Sequence, residues 1–421
     1  MSSHANSPHA GPPLDLSRWR MVPNVLIVLG GLGAVVGFFV NAKQFSFSWL
    51  LAYMFFLSLC LGGLGFTMLH HLFDASWSVP VRRIMEHLGA LLRHMVWLWI
   101  PLAFLAPKYL YVWMHKLQEG KPDLSTVAKH PLFTMPGFYI TSVLCLAVWF
   151  WLPTQLRKWS LKQDETGAVE CTRWMRRYSA FGIFLFAFSL TFAVILWVKA
   201  LQHEWFSTMY GVYYFAGSMW MSIATIYVIT LLLQRQGHLQ GYVHEKTYYF
   251  IGSIMFAFTV FYAYVTFAQY FIIWNANMPE ETFWYVLREK GTWWDIGQIM
   301  IFGHFFVPFL FLLRIDWKLK LCFMGPLFIW AWLMHFLDMS FNIMPVLWPD
   351  NFHLGFTDIA CLAFIGGVLA KMFIINLNAH PMLPQKDPRF AESQDIYVTP
   401  NRGGDAYVQA ATARGHEGGG H

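Results

Sequence analysis

Ten long apolar runs separated by polar stretches set the plan of this 421-residue chain. They fall at about 22–40, 47–69, 88–106, 134–152, 180–201, 210–233, 247–274, 295–313, 319–337 and 353–376. Each is close to the roughly 20 residues that, at a helical rise of about 1.5 Å, cross about 30 Å of hydrocarbon. Lipid offers the backbone no hydrogen-bonding partner, so every run is expected to be a helix that satisfies itself. The fold class predicted is therefore an all-α integral membrane protein with about ten transmembrane helices. Spans two and three are joined by a polar loop bearing His70, His71 and His87, and spans six and seven by one bearing His238 and His244. This weak repeat suggests two four-helix bundles, about 47–152 and 210–337, with peripheral helices at 22–40, 180–201 and 353–376. The membrane domain covers 21–378, between an N-terminal tail (1–20) and a C-terminal tail (379–421) whose polar, Gly-rich or Pro-rich composition reads as disordered.

Composition sharpens this plan. The chain is 57% hydrophobic and only 12% charged, about half the charged share of a soluble domain. A soluble globular domain is excluded. The net charge of +6 is not a nucleic-acid signal, because the basic residues lie in short loops between apolar runs. Ten crossings put both tails on one side, where 20 Lys and Arg fall against 8 on the other side, a bias that predicts cytoplasmic tails. The five cysteines lie far apart with no C-x-x-C spacing, so they read as small buried hydrophobes rather than cluster, zinc or haem ligands. No cleavable signal peptide is expected at the N-terminus.

Against this apolar background, the last three runs carry His304, His335, Asp338, Asp358 and Lys371. Ionisable groups at bilayer depth are costly unless they are partnered, and they commonly mark proton or ion routes. His335 and Asp338, three residues apart, share one helix face. Rough depths place Asp338, His335 and Asp358 near the outer level, His304 at mid-depth and Lys371 near the cytoplasm. These five are the candidate proton path. The bland alternatives are a helix-capping role for His335 and Asp338 and snorkelling for Lys371. His70, His71 and His94 are candidates for the place where protons enter from the cytoplasm. Tyr262, Tyr264 and Gln269, with Thr266, Tyr270 and Trp274, suit a quinone headgroup or an ordinary bundle core. A haem held by His94 and His304 lacks supporting spacing, and no metal site is expected.

Tyr262-Ala-Tyr264…Trp274-Asn-Ala-Asn277, preceded by His244-Glu245-Lys246, resembles the corresponding stretch of the NrfD/polysulfide-reductase membrane-subunit family. Trp294-Asp295-Ile-Gly…Pro308 and His353-Leu-Gly-Phe-Thr-Asp358-Ile-Ala are similar as well. The chain as a whole looks most like the second such membrane subunit of bacterial alternative complex III, a quinol:cytochrome c oxidoreductase of the inner membrane. The resemblance implies two four-helix bundles, a homologous NrfD-like membrane subunit, an iron–sulfur subunit, haem c subunits and a terminal oxidase as partners. It implies no redox cofactor in this chain, with quinol or menaquinol as the substrate of the assembly and haem c and iron–sulfur clusters in the partner subunits. Relatives that oxidise quinol often carry a carboxylate where this chain has Gln269, which favours proton movement over an active quinol site here. The rival readings are a quinone-binding redox subunit, a b-haem anchor and a secondary transporter.

Overall fold

The computed structural model describes residue 16 and residues 19–393. The expected disorder of residues 1–15 and 394–421 falls outside the described residues. The protein is 82% helical, and no strand occurs among the described residues. Ten helices are long and apolar enough to span a membrane: α1 (Met21–Val40), α2 (Ala42–Phe73), α3 (Ser76–Leu110), α4 (Met135–Thr166), α5 (Val169–Trp197), α6 (Tyr210–Arg235), α7 (Glu245–Ala276), α8 (Thr292–Leu313), α9 (Leu321–Val346) and α10 (Phe356–Ala379). Ten crossings leave the start of α1 and the end of α10 on one side, the tail face, where Arg20 and Ala379 line one cavity.

Several helices outrun the apolar stretches that announced them. At 32 residues, α4 is about 48 Å long, well beyond the hydrocarbon. The basic stretch from Arg157 to Arg177, expected as a loop, is instead an α4–α5 helical hairpin that continues beyond the apolar stretches. It turns at Gly167, whose φ of 66° suits glycine.

The core sits around α2, whose apolar stretch is buried throughout, and α6, most of which is buried. Lipid removes the hydrophobic incentive for helices to associate, so close packing must supply it. The Gly62-Gly63 pair provides this on two sides. A Cβ at Gly62 would lie 2.1 Å from Ser222 Oγ on α6, and one at Gly63 would lie 2.6 Å from Leu88 Cβ on α3. Helices α2 to α5 pack as one bundle and α6 to α9 as a second, joined along α2 and α6. Helix α5, expected at the periphery, packs against α4, α2 and α6 and so completes the first bundle; its polar buried face, with Ser179 and Ser189, is weak in a hydropathy pattern.

Helix α1 packs mainly on α10, again through glycine. A Cβ at Gly30 would stand 2.5 Å from the Phe364 backbone nitrogen. Gly30→Leu is therefore expected to cost about 1–3 kcal/mol by overpacking, measured as a lower thermal unfolding midpoint in detergent. Val35→Leu, on the exposed face of the same helix, should leave the midpoint unchanged.

Four cysteines are buried and unpaired, including Cys171, which lies outside the apolar runs read from the sequence; Cys322 is exposed, so the buried reading fails there.

Candidate functional site

His304, His335 and Asp338 come together in the second bundle. The three are fully or almost fully buried, at 0%, 0% and 1% exposure, and their ligand atoms all lie within 4.8 Å of one another. Helix α9 supplies His335 and Asp338 from one face. Helix α8 supplies His304 from a π-helical segment, Met300–Phe306. Such a segment inserts an extra residue in the turn and often marks a functional position. The His304 ring is clamped between Tyr262, at 3.8 Å between centroids, and Trp220, at 4.2 Å. Gly217 leaves room beside His335, since a Cβ there would lie 3.3 Å from Cε1.

Hydrogen-bond arithmetic defines the chemistry. Ser58 directs its hydroxyl hydrogen to the Phe55 carbonyl at 2.6 Å. His335 Nε2 lies 2.7 Å from Ser58 Oγ, and the imidazole tautomer sets which of the two donates. Asp338 Oδ1 accepts from Tyr213 and, at 3.3 Å, from Asn342 Nδ2. His335 Nδ1, Asp338 Oδ2 and both ring nitrogens of His304 have no hydrogen-bond partner. A neutral His304 carries one N–H and one acceptor nitrogen, and neither makes a hydrogen bond to His335 or Asp338. An unsatisfied buried polar atom costs roughly 1–3 kcal/mol, so the cluster presents titratable atoms with bonding capacity to spare. The same donor set, two imidazoles and a carboxylate, is also a metal-ligand type.

A polar chain leads from this cluster to the face opposite the tails. Tyr262 OH donates to Tyr213 OH at 3.2 Å, Asn342 Nδ2 donates to Tyr213 OH at 2.9 Å, and Tyr210 OH donates to Asn342 Oδ1 at 2.7 Å. Arg288 closes the end. It is buried, donates to the carbonyls of Asn342, Phe341 and Trp284 and to Gln202, and stacks on the Trp284 ring at 3.5 Å. Burial without a facing carboxylate pushes its guanidinium down to about 9. Toward the tail face the buried hydroxyls of Ser222, Thr225 and Thr230 on α6 bond the carbonyls of Leu59, Met221 and Ile226. Between Ser58 and His70, α2 offers one hydroxyl, Thr67, which bonds the Gly63 carbonyl at 2.8 Å.

The remaining sequence candidates lie elsewhere. Asp358 is at the start of α10, where it accepts from the Gly355 amide at 2.8 Å and from Ser48 at 2.6 Å, with Gln44 Nε2 at 3.3 Å. It caps the helix. Ser48 and Ser58 are ten residues apart on α2, about 15 Å, so Asp358 is not level with His335 as depth alone suggested. Lys371 is exposed on α10 beside Arg20, outside the bundle that holds His304. The single column of five residues is thus three residues plus two that stand apart. The span-seven face also divides. Tyr262 joins the cluster, Tyr264 is 64% exposed on the outer surface, and Gln269 bonds Ser207 and Tyr285 near the opposite face. Positions two apart on a helix point about 200° apart, so Tyr262 and Tyr264 never shared a face.

His70 and His71 are buried at the tail face with rings 4.9 Å apart, and His70 Nδ1 lies 2.6 Å from Ser78 Oγ. They adjoin an ionic network that the sequence did not mark as buried. Arg82 pairs with Glu86 and Asp387, Arg83 pairs with Glu86 and Asp164, and Ser160 ties Arg82, Arg83 and Glu86 together. His94, half-buried, is seven residues beyond His87 on α3, about 10 Å deeper than this network. Asp387 belongs to the C-terminal segment, expected to be disordered. Its described part instead docks on the chain itself: the Gln385 amide donates to Asp164 at 2.9 Å, and Arg389 pairs with Asp74 at 2.6 Å. Asp387→Asn is expected to loosen this segment and raise tryptic cleavage at Lys386 and Arg389 about tenfold, as loss of one charged bond implies.

A second group of potential ligands, Asp123, His203 and Glu204, lies in loops of the opposite face. There Asp123 is already engaged by Lys116 at 2.7 Å and His203 at 2.8 Å, and these bonds hold its carboxyl below the usual range.

Neither the known protein families nor the curated proteins compared with the chain match it.

Proposed function

We propose that this chain is an integral membrane subunit of a respiratory quinol:cytochrome c oxidoreductase, in which it moves protons while partner subunits carry the electrons. The observation that carries the reading is the buried His304–His335–Asp338 cluster, with unpartnered titratable atoms and a hydrogen-bonded chain through Tyr213, Asn342 and Tyr210 toward the face opposite the tails. Such a device loads and unloads protons at mid-membrane. The named assembly rests on the resemblance of the Tyr262–Asn277, Trp294–Pro308 and His353–Ala360 stretches to NrfD-type subunits of alternative complex III.

In mechanism, Asp338 or an imidazole of the cluster holds the proton. Tyr213 and Asn342 keep Asp338 Oδ1 fixed, and the carboxylate lies within 4.8 Å of both imidazoles. The stacking of His304 between Trp220 and Tyr262 fixes its plane, so the proton moves by tautomer change rather than ring swing. The half-path ends at Arg288. On the positive-inside reading, which puts the tails in the cytoplasm, that end faces the periplasm and serves proton release. The separation of Tyr264 and Gln269 from Tyr262 weighs against a quinone site on this face of α7.

Affinity purification of the chain from native membranes tests the assembly. Iron–sulfur and haem c subunits should co-purify with quinol:cytochrome c reductase activity. Recovery of the chain alone, or with partners of another class, would overturn it.

A further inference from the structure

Lys371 is left without a role by the cluster, and its setting is unusual. It lies eight residues before the end of α10, about 12 Å inside the helix terminus, yet its side chain is exposed rather than buried in the bundle. An unpaired ammonium facing acyl chains is costly and is normally relieved by snorkelling to an anion or water at the interface. A cavity of about 400 Å³ opens at this point between α1 and α10. Its lining combines Arg20 and Lys371 with the amides Asn24 and Asn378 and the apolar Pro23, Ile374 and Ile375. No carboxylate lines it, and among the described residues neither Arg20 nor Lys371 makes an ion pair.

We propose that this cavity binds the headgroup of an anionic phospholipid, with its phosphate held between Lys371 and Arg20. Asn24 and Asn378 supply neutral donors to the headgroup oxygens. Pro23, Ile374 and Ile375 continue the cavity as an apolar wall, which a lipid's glycerol and upper acyl chain would cover and a free phosphate would not. Basic pockets between transmembrane helices bind such headgroups. The lipid would also seat α1, whose main contact is α10, so its loss should loosen that pair. No residue of the cavity belongs to the buried cluster, so lipid binding here stands apart from proton movement.

The test compares the purified full chain with the Arg20→Gln/Lys371→Met double variant, in which both side chains keep similar length and lose charge. Each is stripped of lipid in detergent and titrated with phosphatidylglycerol, phosphatidylcholine or inorganic phosphate, with bound lipid counted by native mass spectrometry. The wild-type chain should bind one phosphatidylglycerol in preference to phosphatidylcholine, and inorganic phosphate should not compete at millimolar concentration. The double variant should bind phosphatidylglycerol roughly 30-fold more weakly, about fivefold per charge removed. Equal binding of the two lipids, equal binding by both proteins, or full displacement by phosphate would each overturn the proposal. Protection of Lys371 by a co-purifying protein, with no lipid bound, would do the same.

Discussion

Arg82→Met is expected to destabilise the folded chain by about 3–5 kcal/mol, the cost of leaving buried carboxylates without their partner. Arg82 is 1% exposed and reaches Glu86, Asp387, Ser160 and Gln163. Two guanidiniums, Arg82 and Arg83, meet three carboxylates in this network, Glu86, Asp164 and Asp387, so removing one cation leaves the acids in excess in a low-dielectric setting. Thermal unfolding of the purified chain, followed by circular dichroism, measures the loss. Adding Glu86→Leu to Arg82→Met should recover part of it, because an apolar pair of similar size replaces a buried ion pair with little penalty. A loss below about 1 kcal/mol for Arg82→Met would show the network to be solvated, as exposed pairs are.

Under the proposed function, Asp338→Asn is expected to leave the fold intact and to slow proton transfer by at least about 100-fold, the usual worth of a positioned acid–base group. The amide keeps an oxygen for Tyr213 and replaces the titratable Oδ2 with a permanent N–H. The cluster then lacks the carboxyl that would load and release the proton. Proton release by the reconstituted assembly, measured with a pH dye during quinol oxidation, reads the effect. Asp358→Asn should differ in kind. That carboxylate caps α10 through the Gly355 amide, so its change should cost about 1 kcal/mol of stability and leave proton release within twofold. Equal losses from the two variants would remove the distinction drawn between them.

The helices and their number were legible in the sequence because a bilayer demands about 20 apolar residues per crossing and little else does. The pairing of His335 with Asp338 was legible too, from a three-residue spacing on one helix. Their junction with His304 was not, since it depends on how α8 lies on α9 and on the π-helical segment that aims His304 inward, neither of which leaves a periodic trace. Depth alone misled for Asp358 and Lys371: Asp358 is buried at the level of Ser48 rather than of Ser58, and Lys371 points away from the bundle, which height does not reveal. Tyr262 and Tyr264 show the reverse case, where helical geometry already separates the two faces. The role of Ser58, Tyr213 and Asn342 rests on contacts between distant helices, which only the folded arrangement reveals. The burial of Arg82 and Arg83 was hidden because arginines in a loop region normally report orientation, and here Asp387, from the far end of the chain, comes back to meet them.

Infrared difference spectroscopy of the reconstituted assembly, triggered by quinol, tests the central claim most directly. A carbonyl-stretch change from a carboxyl group shielded from water is expected in the wild-type protein, abolished by Asp338→Asn and unaltered by Asp358→Asn. A difference spectrum in which no buried carboxyl or imidazole changes protonation, or one that Asp338→Asn leaves untouched while protons are still released, would contradict proton loading at the cluster.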